Sequence, residues 1–302
     1  MTTIGALLLV GSASSLSWAA GPGVPGLSIP LHALKHRCTD ARFPRLAGGW
    51  VVGCGPTGDV DRALSLESGR VIELPRALSP AGTGPGFVVG AGRRGGLFAL
   101  TESGAVEVPD TTRITEPLLA PPATDGTHLA VLSERGLQAF PATERARTLH
   151  EARPMGWHPP ALVWPWVAWV EDAGDGDADV WVRDVRDRRA ATAMAKGPAR
   201  QDRVVAAGAW FAWVDDGAVV LHEPATGSTR RVPAETGFRA PPAVWQGEAC
   251  WEVRAADVDI ACTDLPGVSG PGHQGWPDRW GPWLLYRDGE RPMLYTAPDP
   301  AE

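Results

Sequence analysis

The sequence predicts an all-β fold, a seven-bladed β-propeller closed by an N-terminal strand that completes its last blade. Three observations predict it. First, 36 Gly and 29 Pro among 302 residues make the chain turn too often for long helices. Second, a phrase of two short apolar strands around a tight turn recurs along the chain at the period of a four-stranded propeller blade. Third, the last copy has only three strands, while Ile29 to Cys38 precedes the first copy with no repeat of its own and is the segment available to complete the ring.

The phrase is clearest at Pro160 to Trp169, Val204 to Trp213, Pro242 to Trp251 and Pro277 to Tyr286, and fainter at Pro44 to Val52, Pro80 to Val89 and Pro122 to Val131. Its last residues, Val52, Val89, Val131, Trp169, Trp213, Trp251 and Tyr286, are spaced 37, 42, 38, 44, 38 and 35 apart. After each comes a polar loop and a third strand, and in most copies a fourth, as in Arg62 to Leu74. A single blade cannot cover both its faces, so the blades must stack around an axis. Closure also removes the open sheet edges that invite aggregation.

The chain divides into 1–19, a secretory signal, 20–28, a Gly/Pro-rich linker, and 29–302, one propeller domain. Ile4 to Val10 is the apolar core of the signal, and Ser17 and Ala19 occupy the −3 and −1 positions of a cleavage site, although Met1-Thr2-Thr3 carries no Lys or Arg. The segment is too short to span a bilayer, so after signal removal the protein is expected in the periplasm or secreted. Four cysteines in an exported chain imply two disulfides. Cys250 and Cys262 bracket a hairpin around Ala255-Ala256, which leaves Cys38 and Cys54 as the second pair. Each bond closes a short loop and stabilises by roughly 3 kcal/mol in the chain-entropy picture.

The repeats resemble those of TolB-like β-propellers. The resemblance rests on Val167-Ala168-Trp169-Val170-Glu171-Asp172, on Asp179-Val180-Trp181-Val182-Arg183-Asp184 and on Thr226-Gly227-Ser228-Thr229-Arg230-Arg231-Val232, and it is clearest over residues 154–298. It implies a propeller and is unspecific for function, since such propellers serve as binding scaffolds and as enzyme-associated domains.

Composition narrows the function classes. The net charge is −7, and of the 28 basic residues only Lys35 and Lys196 are lysine, so no basic stripe exists for a phosphate backbone and nucleic acid is excluded as a partner. No Gly-x-Ser-x-Gly elbow, His-Glu-x-x-His or phosphate-cradling Gly-Lys-Ser/Thr occurs. Trp169, Trp213 and Trp251 recur at one repeat position and are expected to pack between blades. Trp157, His158, His273 and Trp276 lie instead in the connectors leading into blades four and seven, with Gln201, Arg239 and Gln274 at equivalent places, where propeller ligands meet the central channel; these seven form the candidate binding site. Asp172, Asp175, Asp177 and Asp179 sit on a Gly-rich loop that has the oxygen ligands for calcium, while a solvated hairpin tip is the alternative reading. The function expected is an exported, non-catalytic scaffold that binds another protein through one face of the ring. The alternative is a carbohydrate-binding or polysaccharide-cleaving enzyme working at the channel mouth.

Overall fold

Strand segments such as Val167 to Val170 are apolar at consecutive positions, so both faces of any sheet they form need cover. In the computed structural model that cover comes from neighbouring sheets set in a ring. It describes residues 28–30, 45–53, 62–75, 82–90, 96–144, 148–150, 158–172, 177–187, 191–196, 201–234, 240–254, 257–270, 272–289 and 291–297. The first strand is β1 (Ser28–Pro30). Blade one is β2 (Arg45–Leu46), β3 (Trp50–Val52), β4 (Arg62–Ser65) and β5 (Val71–Glu73). Blade two is β6 (Gly82–Gly84), β7 (Phe87–Val89), β8 (Leu97–Thr101) and β9 (Gly104–Glu107). Blade three is β10 (Ala123–Thr124), β11 (His128–Ser133), β12 (Gly136–Pro141) and β13 (Thr148–His150). Blade four is β14 (Ala161–Val163), β15 (Trp166–Asp172), β16 (Ala178–Asp184) and β17 (Thr192–Ala195). Blade five is β18 (Gln201–Ala207), β19 (Trp210–Asp215), β20 (Ala218–Glu223) and β21 (Ser228–Pro233). Blade six is β22 (Ala243–Trp245), β23 (Glu248–Arg254) and β24 (Val258–Cys262), and blade seven is β25 (Gln274–Trp280), β26 (Trp283–Asp288) and β27 (Arg291–Thr296).

Each blade is an antiparallel meander, and no helix occurs among the described residues. The innermost strands β2, β6, β10, β14, β18, β22 and β25 lie each against the next, and β25 returns to β2. The last sheet has the order β1-β27-β26-β25, with Ile29 opposite Leu294. The strand that completes blade seven is therefore Ser28–Pro30; the remainder of the expected Ile29 to Cys38 segment lies outside the described residues, as do Cys38 and Cys54.

Seven apolar clusters hold the ring among the described residues, one at each junction between blades. At the seam between blades seven and one, Leu46, Val51, Leu64 and Leu66 meet Leu285 and Leu294. Trp169 packs back against blade three, Trp213 against blade four and Trp251 against blade five, which is the inter-blade role expected of them. Val131 and Tyr286 also face the preceding blade. Val52 and Val89 do not. They face forward, while Val51 and Val88 face back. Aligned on the tight first hairpins (Ala47 with Trp50, Gly84 with Phe87, Val163 with Trp166), the positions equivalent to Trp169 are Gly53 and Gly90. The repeat marker is therefore one residue early in blades one and two, and a one-residue shift reverses the face.

Blade six departs from the rest. A short return at Val268 takes the place of a fourth strand, its amide and carbonyl both paired with Ile260 at 2.8–2.9 Å. Two links fix this irregular blade. Cys250 and Cys262 stand directly opposite in β23 and β24 and are joined by the expected disulfide. Arg279 of blade seven, buried, donates both terminal nitrogens to the Asp264 carboxylate at 2.6 Å.

At the closing seam, Leu294→Ala is expected to cost about 2–5 kcal/mol, because the residue is fully buried between two packed blades. Urea denaturation checks this. A second test uses His222 of β20, which is buried beside the edge of Trp213 with its Nδ1 2.9 Å from the Thr229 hydroxyl. Burial pushes the imidazole below its ordinary 6.5, against the opposing effect of the hydrogen bond with the Ser228 backbone. The unfolded chain thus takes up the proton first, so stability falls as pH drops below about 6.5 toward the folded value. His222→Gln is expected to reduce the loss of urea midpoint between pH 7.5 and 5.5.

Candidate functional site

The antiparallel meander puts the connectors into the first strands and the loops between second and third strands on one face. There Gln201 pairs in register with Asp215, and Gln274 with Asp288. The two pairs occupy the same place in blades five and seven. Both glutamines are buried, and each Nε2 donates to its aspartate, Gln201 to Asp215 at 3.3 Å and Gln274 to Asp288 at 2.9 Å. Both amide oxygens are buried with no hydrogen-bond partner among the described residues, a state that costs about 1–3 kcal/mol per group.

Two residues further along each strand the ladder breaks in a bulge, between Asp202 and Val205 in blade five and between Gly275 and Asp278 in blade seven. The bulge residues Arg203 and Trp276 have φ of 64° and 56°, the left-handed region that non-glycine residues seldom occupy. Arg203 donates Nη1 to the Ala240 carbonyl at 3.2 Å, toward blade six. Trp276 turns outward and is 39% exposed; with Val106 it is one of two exposed large apolar side chains among the described residues.

Glu252, 1% exposed in the second strand of blade six, fixes this bulge. Its Oε1 accepts from the Trp276 amide at 2.9 Å and its Oε2 from the Ala240 amide at 3.2 Å. Gly275 is required by the same contact, since a Cβ there would lie 2.5 Å from Glu252 Oε1 and 3.3 Å from His273 Nε2. Beside Trp276 opens a cleft of about 220 Å3, lined by Arg45, Pro241, Asp278, Tyr286 and Arg287 among others, from blades six, seven and one. Asp278 accepts from the Leu46 amide at 2.8 Å and the Arg279 amide at 3.0 Å, with Arg45 Nε at 3.5 Å. Burial pushes its carboxyl above the ordinary 3.8, opposed by Arg45 and the two amides.

The structure thus brings Gln274 and Trp276 together on β25, with His273 immediately before it, and places Gln201 at the equivalent point of blade five. His158 is buried at the entrance to blade four. Trp157 and Arg239 lie outside the described residues. Glu252, Asp278 and Arg45 were missed by sequence reasoning. Glu252 had a signal, a lone acid between Trp251 and Val253 in an otherwise buried strand.

The acidic loops are engaged locally. Arg231 of the outer strand pairs with the Asp215 carboxylate and reaches the Asp215 and Asp216 carbonyls. Asp257 accepts from the Gly272 amide at 3.1 Å. On the blade-four loop, Asp172 lies opposite Ala178, Asp179 is buried opposite Glu171, and Asp177 accepts from the Ala178 amide at 2.9 Å. Asp175 lies outside the described residues. Among the described residues no group of three or more His, Cys, Asp or Glu gathers as a metal site would require.

This geometry defines a seven-bladed propeller, and comparison with known proteins agrees on the fold. No known protein family matches the chain, and no characterised protein matches it by sequence. Among solved structures, YCF48 bound to D1 peptide matches with a TM-score of 0.53 at 10% identity, over 93% of this chain and 100% of that one. BamB from Moraxella catarrhalis matches at 0.46 with 12% identity, covering 90% of this chain and 99% of that one. A putative TolB from Agrobacterium tumefaciens, whose kind the repeats resemble, matches at 0.43 with 14% identity, covering 90% and 97%. At these identities the likeness is one of fold.

Gly275→Ala is expected to destabilise the protein by roughly 1–3 kcal/mol, because the added methyl group meets a carboxylate held by two amides. In a Glu252→Ala background the same change should cost less, and a double-mutant cycle of urea midpoints measures the difference.

Proposed function

We propose that the protein is an exported, non-catalytic scaffold that binds another protein through the channel-mouth face, with Trp276 as the anchor. The observation that carries the reading is Trp276 itself: a large apolar side chain turned to solvent on a left-handed bulge that Glu252 and Gly275 hold in place. Strained backbone of this kind concentrates at functional sites, and a rigid Trp beside a cleft is the usual hot spot of a protein interface. YCF48, which shares this fold with a TM-score of 0.53, is described as bound to a peptide. Asp278 is engaged by two amides and Arg45, which suits a structural carboxylate better than the acid of a glycoside-cleaving pair.

Export is part of the proposal. It rests on the apolar core and Ser17/Ala19 cleavage pattern of residues 1–19 and on the Cys250–Cys262 bond, which persists in oxidising compartments. Mass spectrometry of the protein recovered outside the cytoplasm should find Ala20 as its first residue.

A benzophenone amino acid in place of Trp276 is expected to cross-link a discrete protein partner, while the same probe at Val106 on the outer strand of blade two does not. Trp276→Ala should lower affinity for that partner at least tenfold with the melting temperature unchanged. Equal cross-linking from both positions, or unaltered affinity, would overturn the reading.

A further inference from the structure

The opposite face carries a second cleft, of about 410 Å3. It is lined by Gly49 and Trp50 of the first hairpin of blade one, by Ser65 at the end of its third strand and Glu67 after it, by Glu102 at the β8–β9 turn of blade two, and by Trp283 of blade seven. All of these sit at turns joining first to second or third to fourth strands, which the meander places away from the connectors. Trp283 reaches over the seam, with its ring edge 4.0 Å from where a Gly49 side chain would begin.

The charge in this cleft is negative and fixed. Ser65 and Ser68 of blade one each donate a hydroxyl to one oxygen of Glu102, both at 2.6 Å. The Ser65 bond first, then the Ser68 bond, hold the Glu102 carboxyl below its ordinary 4.5, with Arg70 adding attraction against a small burial effect. A carboxylate has about four acceptor positions, so two remain on Glu102 after both hydroxyls have bonded. Glu67 adds a second acid, and neither Lys nor Arg lines the cleft.

We infer that this cleft binds a guanidinium group, stacked on the Trp283 indole and hydrogen-bonded to Glu102. A planar, weakly hydrated cation satisfies both halves of the site at once, since it is attracted by an indole face and donates in parallel to a carboxylate. The group can come from an arginine side chain in a polypeptide or from a small free guanidine. The inference is independent of the channel-mouth reading, which concerns the other face.

The test is calorimetric titration at low salt with N-acetyl-arginine amide and with the peptide Gly-Gly-Arg-Gly-Gly, using N-acetyl-citrulline amide as the neutral isostere. Indole amide resonances of Trp50 and Trp283 report the location. Saturable binding of either arginine probe, with shifts at those two indoles and at least tenfold weaker binding of the citrulline compound, supports the site. Binding of the peptide alone assigns it to a polypeptide partner, and equal binding of both assigns it to the guanidinium itself. Glu102→Gln should weaken binding at least fivefold. Glu67→Gln, on an exposed turn, should weaken it by a smaller factor without changing the fold. No saturable binding, or affinity indifferent to Glu102→Gln and to the citrulline exchange, overturns the inference.

Discussion

Each sheet of this protein is apolar on both faces, and that constraint governs everything else. Val167 packs toward blade three and Ala168 toward blade five; Leu284 and Tyr286 pack toward blade six while Leu285 packs toward blade one. A linear stack of such sheets would leave two apolar faces in water. The ring removes both by bringing Leu285 and Leu294 against Leu46 and Leu64, residues from opposite ends of the chain. Polar links reinforce the same seam. The Asp278 carboxylate accepts from an amide 232 positions away and so fixes the innermost strand of blade seven to that of blade one.

Much of this was legible in the sequence because repetition makes local chemistry redundant. The seven phrases, the Trp at one repeat position and the Cys250–Cys262 hairpin were all readable from spacing alone. The register of blades one and two was not, for a physical reason. At Val51-Val52 and Val88-Val89 both residues are buried, one on each side, so hydropathy cannot say which faces back. Only the hairpin geometry settles it, and it puts Gly53 and Gly90 where later blades carry Trp. The closing strand was legible as a need of the last copy, and its described part, Ser28–Pro30, begins one residue before the expected segment.

The candidate site was legible in part. Gln201 and Gln274 could be matched because the connectors repeat, and the structure gives each an aspartate in register, Asp215 and Asp288. The bulges that follow them were hidden, since nothing in Gly275-Trp276-Pro277-Asp278 forces a left-handed residue by itself. The cause sits in another blade. Glu252 draws the Trp276 amide inward, Gly275 leaves room for the carboxylate, and the indole is turned outward as a result. Contacts of that kind link residues distant in sequence, so no local pattern announces them.

The two faces of the ring are built on different principles. On the face of the tight hairpins, aromatic residues pass from one blade to the next: Phe87 over the turn at Gly126, Trp210 over Gly247, His128 stacked on Trp164 at 3.6 Å, and Trp245 against Trp280 at 4.3 Å. On the connector face the strands end in bulges and buried polar pairs. Both clefts nonetheless include residues of blades seven and one, Trp283 with Gly49 on one face and Asp278 with Arg45 on the other. A ligand in either cleft therefore touches both sides of the closing seam. Because such a ligand binds only the closed ring, occupancy adds its binding free energy to closure, so that recognition and the integrity of the fold are linked through the same junction.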